Sequence, residues 1–122
     1  MSFGSTLTLT INSVSKVLNK INQDGYGSEY LLRSATEEYR AKVRHSIESA
    51  KNGKEPFERH QVEVTQTIFA TDTTPEIVRD AYIILRVRAS DAASTGTGYL
   101  VAGFVDYLDS STVQGDVLSW QS

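Results

Sequence analysis

Tyr39-Arg40-Ala41-Lys42-Val43-Arg44-His45 decides the fold class. Every second residue is a cation, and Ala41, Val43 and His45 stand between them. A period of two is the spacing at which side chains of a β-strand share a face. The stretch therefore predicts a strand, running from Tyr39 to Ser49, with one face for a core and one carrying charge. Lys51-Asn52-Gly53-Lys54 follows, and its Asn-Gly suits a hairpin turn back into a second long strand, Phe57 to Phe69.

The same period continues on the N-terminal side. Ser5-Thr6-Leu7-Thr8-Leu9-Thr10-Ile11 alternates hydroxyl with aliphatic side chains. Val14 to Gln23 is extended and closes on the turn pair Asp24-Gly25, and Ser28 to Ser34 makes a third strand. Thr73-Thr74-Pro75-Glu76 has the local chemistry of a helix start. The residues beyond it alternate as Leu85-Arg86-Val87-Arg88-Ala89, so Ala81 to Ala89 is assigned to a strand. After Ser90 the period changes. Leu100, Val101, Phe104, Val105 and Leu108 form one stripe of a helix, and Ser111 with Gln114 has capping-box spacing for a shorter second helix. Strands first and helices last predict an α+β fold in a single domain, residues 1–122.

The chain has no cysteine, so neither a disulfide nor a thiolate metal site is expected. The N-terminus shows no basic and apolar signal pattern, and no apolar run approaches the roughly 20 residues of a membrane span. A soluble protein made inside the cell is the expectation. Net charge is −3, which by itself argues against a nucleic-acid partner. The distribution qualifies that: all 12 Lys and Arg lie at or before Arg88, against 11 acids in the same stretch.

Sorting each strand by parity concentrates the cations. Arg40, Lys42 and Arg44 share a face, as do Arg59 and Gln61 on the next strand, and Tyr82, Ile84, Arg86 and Arg88 on the one after. An ordinary solvated sheet face explains part of this. The cations are mostly arginine, whose planar fork suits phosphate, and an exposed aromatic beside them can stack on a base. A non-enzymatic RNA-binding sheet is the function these residues point to.

Several stretches carry a family resemblance: Lys20-Ile21-Asn22-Gln23-Asp24-Gly25-Tyr26, Ser28-Glu29-Tyr30-Leu31, Tyr39 to His45, Phe57-Glu58-Arg59-His60, and Thr74-Pro75-Glu76 to Tyr82. They resemble coat proteins of the small single-stranded RNA bacteriophages, the leviviruses, most closely those infecting Caulobacter. The likeness covers residues 5–90 and weakens in the helices. It implies an N-terminal β-hairpin, a five-stranded antiparallel sheet and two C-terminal helices, with the sheet continued across a homodimer. Dimers would then close into an icosahedral shell, the virion, after synthesis in the host bacterial cytoplasm. The inner sheet face would hold viral RNA and could repress replicase translation by gripping an operator hairpin. By position, Arg40, Lys42, Arg44, Arg59, Gln61, Tyr82 and Ile84 fall on that face, and strand parity adds Arg86 and Arg88. Ile84 and Arg44 depart from the family there, Ile84 replacing a polar residue and Arg44 a small hydroxyl residue. Thr71, Asp72, Thr73, Thr74, Pro75 and Glu76 fall on the loop that meets neighbouring subunits. Leu100, Val101, Phe104, Val105 and Leu108 fall on the helices that cover the partner.

Other readings compete. A cellular single-stranded RNA-binding module would show the same basic face without forming a shell. A sheet ribonuclease could draw on Glu58-Arg59-His60, but Arg59 points away from the other two, and acid–base chemistry needs converging groups. His45 and His60 share parity with apolar neighbours and are assigned packing or interface roles, not metal binding. Asp72, Glu76, Asp106, Asp109 and Asp116 would leave acidic edges that a divalent cation such as calcium could bridge. Solvated surface accounts for them more simply, so no cofactor, small-molecule substrate or membrane partner is assigned.

Overall fold

The computed structural model describes residues 4–48, 55–91 and 95–121. Six strands make one antiparallel sheet in chain order: β1 (Thr6–Ile11), β2 (Val14–Asp24), β3 (Gly27–Arg33), β4 (Glu37–Ile47), β5 (Phe57–Ile68) and β6 (Ile77–Arg88). The stretch expected to turn at Asn52-Gly53 lies outside the described residues. The chain forms two compact units, residues 1–86 and 87–122.

The alternating N-terminal stretch becomes β1, and Asn12 and Ser13 turn it back with φ of 51° and 65°. Two consecutive positive φ values match the right-handed twist of the flanking strands, and asparagine tolerates them. The expected hairpin and five-stranded sheet are not separate, because β2 serves both. Its first half pairs with β1 and its second half with β3, with a register shift between Lys20 and Asn22. A bulge bends a strand, and here the hairpin curls over the apolar face. Lys16 Nζ lies 3.2 Å from Glu37 and over the Tyr39 ring, and the Tyr30 hydroxyl donates to the Gly4 carbonyl at 2.8 Å. The core sits beneath that curl: Leu18, Tyr30, Tyr39 and Ala41 are buried, with Leu7, Leu9, Ile11, Leu32 and Val64 packed around them.

The segment after Pro75 is a strand from Ile77, four residues earlier than alternation alone placed it. The β-branched run Ile77-Val78 and the pairing to β5 override the helix-start chemistry before it. In the second unit, α1 spans Thr95–Leu108 and α2 spans Ser111–Leu118. The cap of α2 is Ser110, not Ser111: its hydroxyl accepts from Val113 N at 3.4 Å. Gln114 closes no capping box, because its side-chain amide donates to the Leu108 carbonyl at 2.8 Å. No residue of either helix is buried.

Candidate nucleic-acid interface

The register of β3, β4 and β5 builds the polar face. Lys42 stands between Glu29 on β3 and Glu63 on β5, Arg44 between Gly27 and Gln61, and Ser46 opposite Arg59. Thr65, the partner of Arg40, donates to Asp80 Oδ1 at 3.0 Å, which places Asp80 on the same face. Tyr82, Ile84 and Arg86 share its parity along β6. Arg88 has that parity too but belongs to the second compact unit.

Gly27 shapes one end of this face. A Cβ there would stand 2.6 Å from the Val43 carbonyl oxygen and 2.9 Å from Arg44 Nη1. Only glycine lets the Arg44 side chain lie across β3, where it reaches Asp24 at 3.5 Å. The Asp24 carboxylate also accepts from Tyr26 N at 2.8 Å, which closes the β2–β3 turn.

The face is an ion-paired mosaic rather than an open field of cations. Arg40 donates to Glu29 at 2.5 Å and lies 3.7 Å from Glu38, while Arg33 also pairs with Glu38. The hydrogen bond it donates to Glu29 raises the Arg40 pKa above its ordinary value. Arg86 donates to Glu48 at 2.6 Å and stacks over Phe57, and the Glu48 bond likewise raises its pKa. Two cations differ. Among the described residues Lys42 has no ion-pair partner, and Arg59 donates only to the neutral Gln61, at 3.1 Å. Beside them Tyr82 is 60% exposed and Ile84 is 37% exposed. Parity alone could place the cations but missed their partners. Glu29 was readable only once β3 had a register against β4, whereas Glu38 shares the parity of Arg40 and was missed because the strand was expected to begin at Tyr39.

Glu63 and Asp80 meet in the middle of this face. The hydrogen bond that protonated Glu63 donates to Asp80 raises the Glu63 pKa; burial and the Asp80 charge push it the same way, and the Lys42 charge opposes them. A raised carboxyl pKa means the pair contributes stability while it shares a proton. That contribution is complete below the unfolded-state pKa and disappears as pH rises through the raised one. Asp80→Asn is therefore expected to remove one stability component that falls with rising pH. Urea midpoints of both proteins from about pH 4 to about pH 7 would show it as a difference curve. Parallel curves would disprove the shared proton.

Thr71, Asp72, Thr73, Thr74, Pro75 and Glu76 are all exposed. Thr71 organises the loop, its hydroxyl accepting from Thr74 N at 3.1 Å while its own N–H donates to the Thr74 carbonyl at 2.8 Å. On α1, Leu100 is 72% exposed, Phe104 51% and Val105 43%, while Val101 and Leu108 are half-buried. No group of three or more His, Cys, Asp or Glu among the described residues is placed to hold a metal ion. No helix among them is long and apolar enough to cross a membrane.

Comparison with known proteins adds a family and a fold. The family described as "Phage phiCb5, coat protein" matches residues 4–88. No curated protein matches. A chain of the virus-like particle of bacteriophage AVE019 superposes with a TM-score of 0.66 at 12% identity, covering 98% of this chain and 96% of that one. An unassembled virus coat protein dimer, described as a bacteriophage RNA-binding dimer, superposes at 0.51 with 10% identity, covering 96% and 94%.

Proposed function

This chain belongs to the phage phiCb5 coat protein family, and from that premise we propose that it dimerises, closes into an icosahedral shell and holds viral RNA on its polar sheet face. The observation that carries the RNA assignment is the pair of cations that form no ion pair among the described residues, Lys42 and Arg59, on the same face as the exposed Tyr82. Cations hold phosphates and the ring offers a stacking surface. Arg44 and Arg86 form a reserve, since exposed ion pairs are worth little and a phosphate can exchange for their carboxylates, while Arg40 is held in a half-buried pair with Glu29. Ile84 offers no hydrogen-bond donor or acceptor, which weakens base-edge reading on that strand and favours phosphate binding over recognition of one hairpin. Repression of replicase translation would require such a preference, and competition between RNA hairpins would reveal it.

Dimerisation is supported from two sides. β6 is the last strand of the sheet, so its outer edge can pair with a copy of itself. The helices bring apolar side chains with no cover, including Leu118 at 81% and Trp120 at 93% exposed. The shell, the virion location and synthesis in the host cytoplasm follow from the same reading, and a cellular RNA-binding module would lack the coat-family match.

RNA affinity should fall steeply with salt, because each neutralised phosphate releases counterions. Lys42→Ala is expected to reduce that salt slope by about one and to weaken binding of unrelated RNAs alike. Glu29→Gln, which removes the stronger of the two carboxylates on Arg40 and leaves Glu38, should strengthen binding. Filter binding across a salt series measures both. If Lys42→Ala keeps full affinity and slope, RNA lies elsewhere.

A further inference from the structure

The opposite face of the sheet holds the only histidines of the chain. His45 on β4 and His60 on β5 stand directly across from each other in the antiparallel register. Their Nδ1 atoms are 2.8 Å apart, with ring centroids at 5.0 Å and planes at 68°. A contact that short is a hydrogen bond, so one Nδ1 carries a proton and the other presents its lone pair. Glu58, two residues before His60 on β5, places Oε2 3.4 Å from His60 Nε2. A carboxylate at that position holds the proton on Nε2 and leaves His60 Nδ1 as the lone-pair nitrogen. This is the arrangement by which proteins orient a metal-binding imidazole.

We propose that His45 and His60 form a bidentate site for a divalent transition-metal ion of the copper(II) or nickel(II) type. Both Nδ1 atoms are ligands, Glu58 orients His60, and water completes the coordination shell. On binding, the His45 proton moves from Nδ1 to Nε2, so both rings stay neutral and both Nδ1 lone pairs are offered. Small rotations of the rings bring those lone pairs onto one ion. The nitrogen spacing selects the metal. With metal–nitrogen bonds of about 2.0–2.1 Å, nitrogens 2.8 Å apart subtend about 90° at the ion. That is the angle between adjacent ligands of a tetragonal or octahedral centre, whereas a tetrahedral zinc ion needs the rings further apart. A bound ion would cross-link β4 to β5 on the face away from the RNA surface.

The test is calorimetric titration of the purified full-length protein with copper(II), nickel(II) and zinc(II) chlorides at mildly alkaline pH, with electron paramagnetic resonance of the copper form. One copper ion per chain is expected, showing coupling to two imidazole nitrogens, and zinc should bind more weakly. His45→Asn and His60→Asn should each lower copper affinity at least tenfold while keeping the far-UV circular dichroism of the parent. Glu58→Gln should lower affinity by about tenfold yet retain the two-nitrogen signature, as expected of a positioning residue. The proposal is overturned if the parent protein binds no copper, or if either histidine variant retains parental affinity and spectrum.

Discussion

Leu18→Ala is expected to destabilise the protein by about 2–5 kcal/mol, the range for emptying a closed apolar site. Leu18 is fully buried where the curled hairpin meets β3 and β4, packed with Tyr30, Tyr39 and Ala41. The buried core is small, so little surrounding structure can collapse into the gap. The loss also reaches the candidate RNA face, because β3 and β4 carry Glu29, Arg40, Lys42 and Arg44 on the reverse of the strands that this core holds. Urea unfolding at fixed protein concentration measures the effect, with concentration held constant because self-association adds to apparent stability. A loss well below 1 kcal/mol would show that the hairpin does not cover this core in solution.

Phe104→Asp is expected to abolish dimers and shells while leaving the strands folded. Phe104 is half-exposed on a helix with no buried residue, amid Leu100 and Val105, which are exposed as well. A helix stripe of this kind gains its stabilisation from burial against something else. If the partner subunit supplies that cover, a carboxylate at position 104 must be desolvated without a counter-charge, a cost that disfavours association strongly. Sedimentation velocity and negative-stain microscopy would show small species in place of particles, with circular dichroism reporting retained β-structure. Particles of normal size and yield would remove α1 from the dimer interface. The outcome is independent of Lys42→Ala, which addresses RNA without touching the helices.

β1, β4 and the end of β6 were legible because alternation runs along them, and β2 and β3 because the turn pair Asp24-Gly25 separates two extended stretches. The first helix was legible for the same reason at a different period, and its observed start at Thr95 lies upstream of the stripe that identified it. Boundaries governed by pairing were less readable. Ile77–Ala81 joins β6 although the residues before it carry helix-start chemistry, since backbone bonds to a neighbouring strand decide the matter. The α2 cap moved by one residue because Ser110 and Ser111 are chemically alike and only backbone geometry distinguishes them.

By itself the sequence determined which residues share a face of each strand, because side-chain direction follows from position along an extended backbone. It therefore determined that Arg40, Lys42 and Arg44 stand together, and that Ala41 and Val43 oppose them. Tertiary structure alone decided what those cations meet. Register sets Glu29 within reach of Arg40, leaves Lys42 and Arg59 without an ion pair among the described residues, joins Glu63 to Asp80 and turns two histidines toward one point. Each of these contacts joins residues on different strands. Their separation in space depends on how strands slide past one another, and that is settled by turns, bulges and the packed core together.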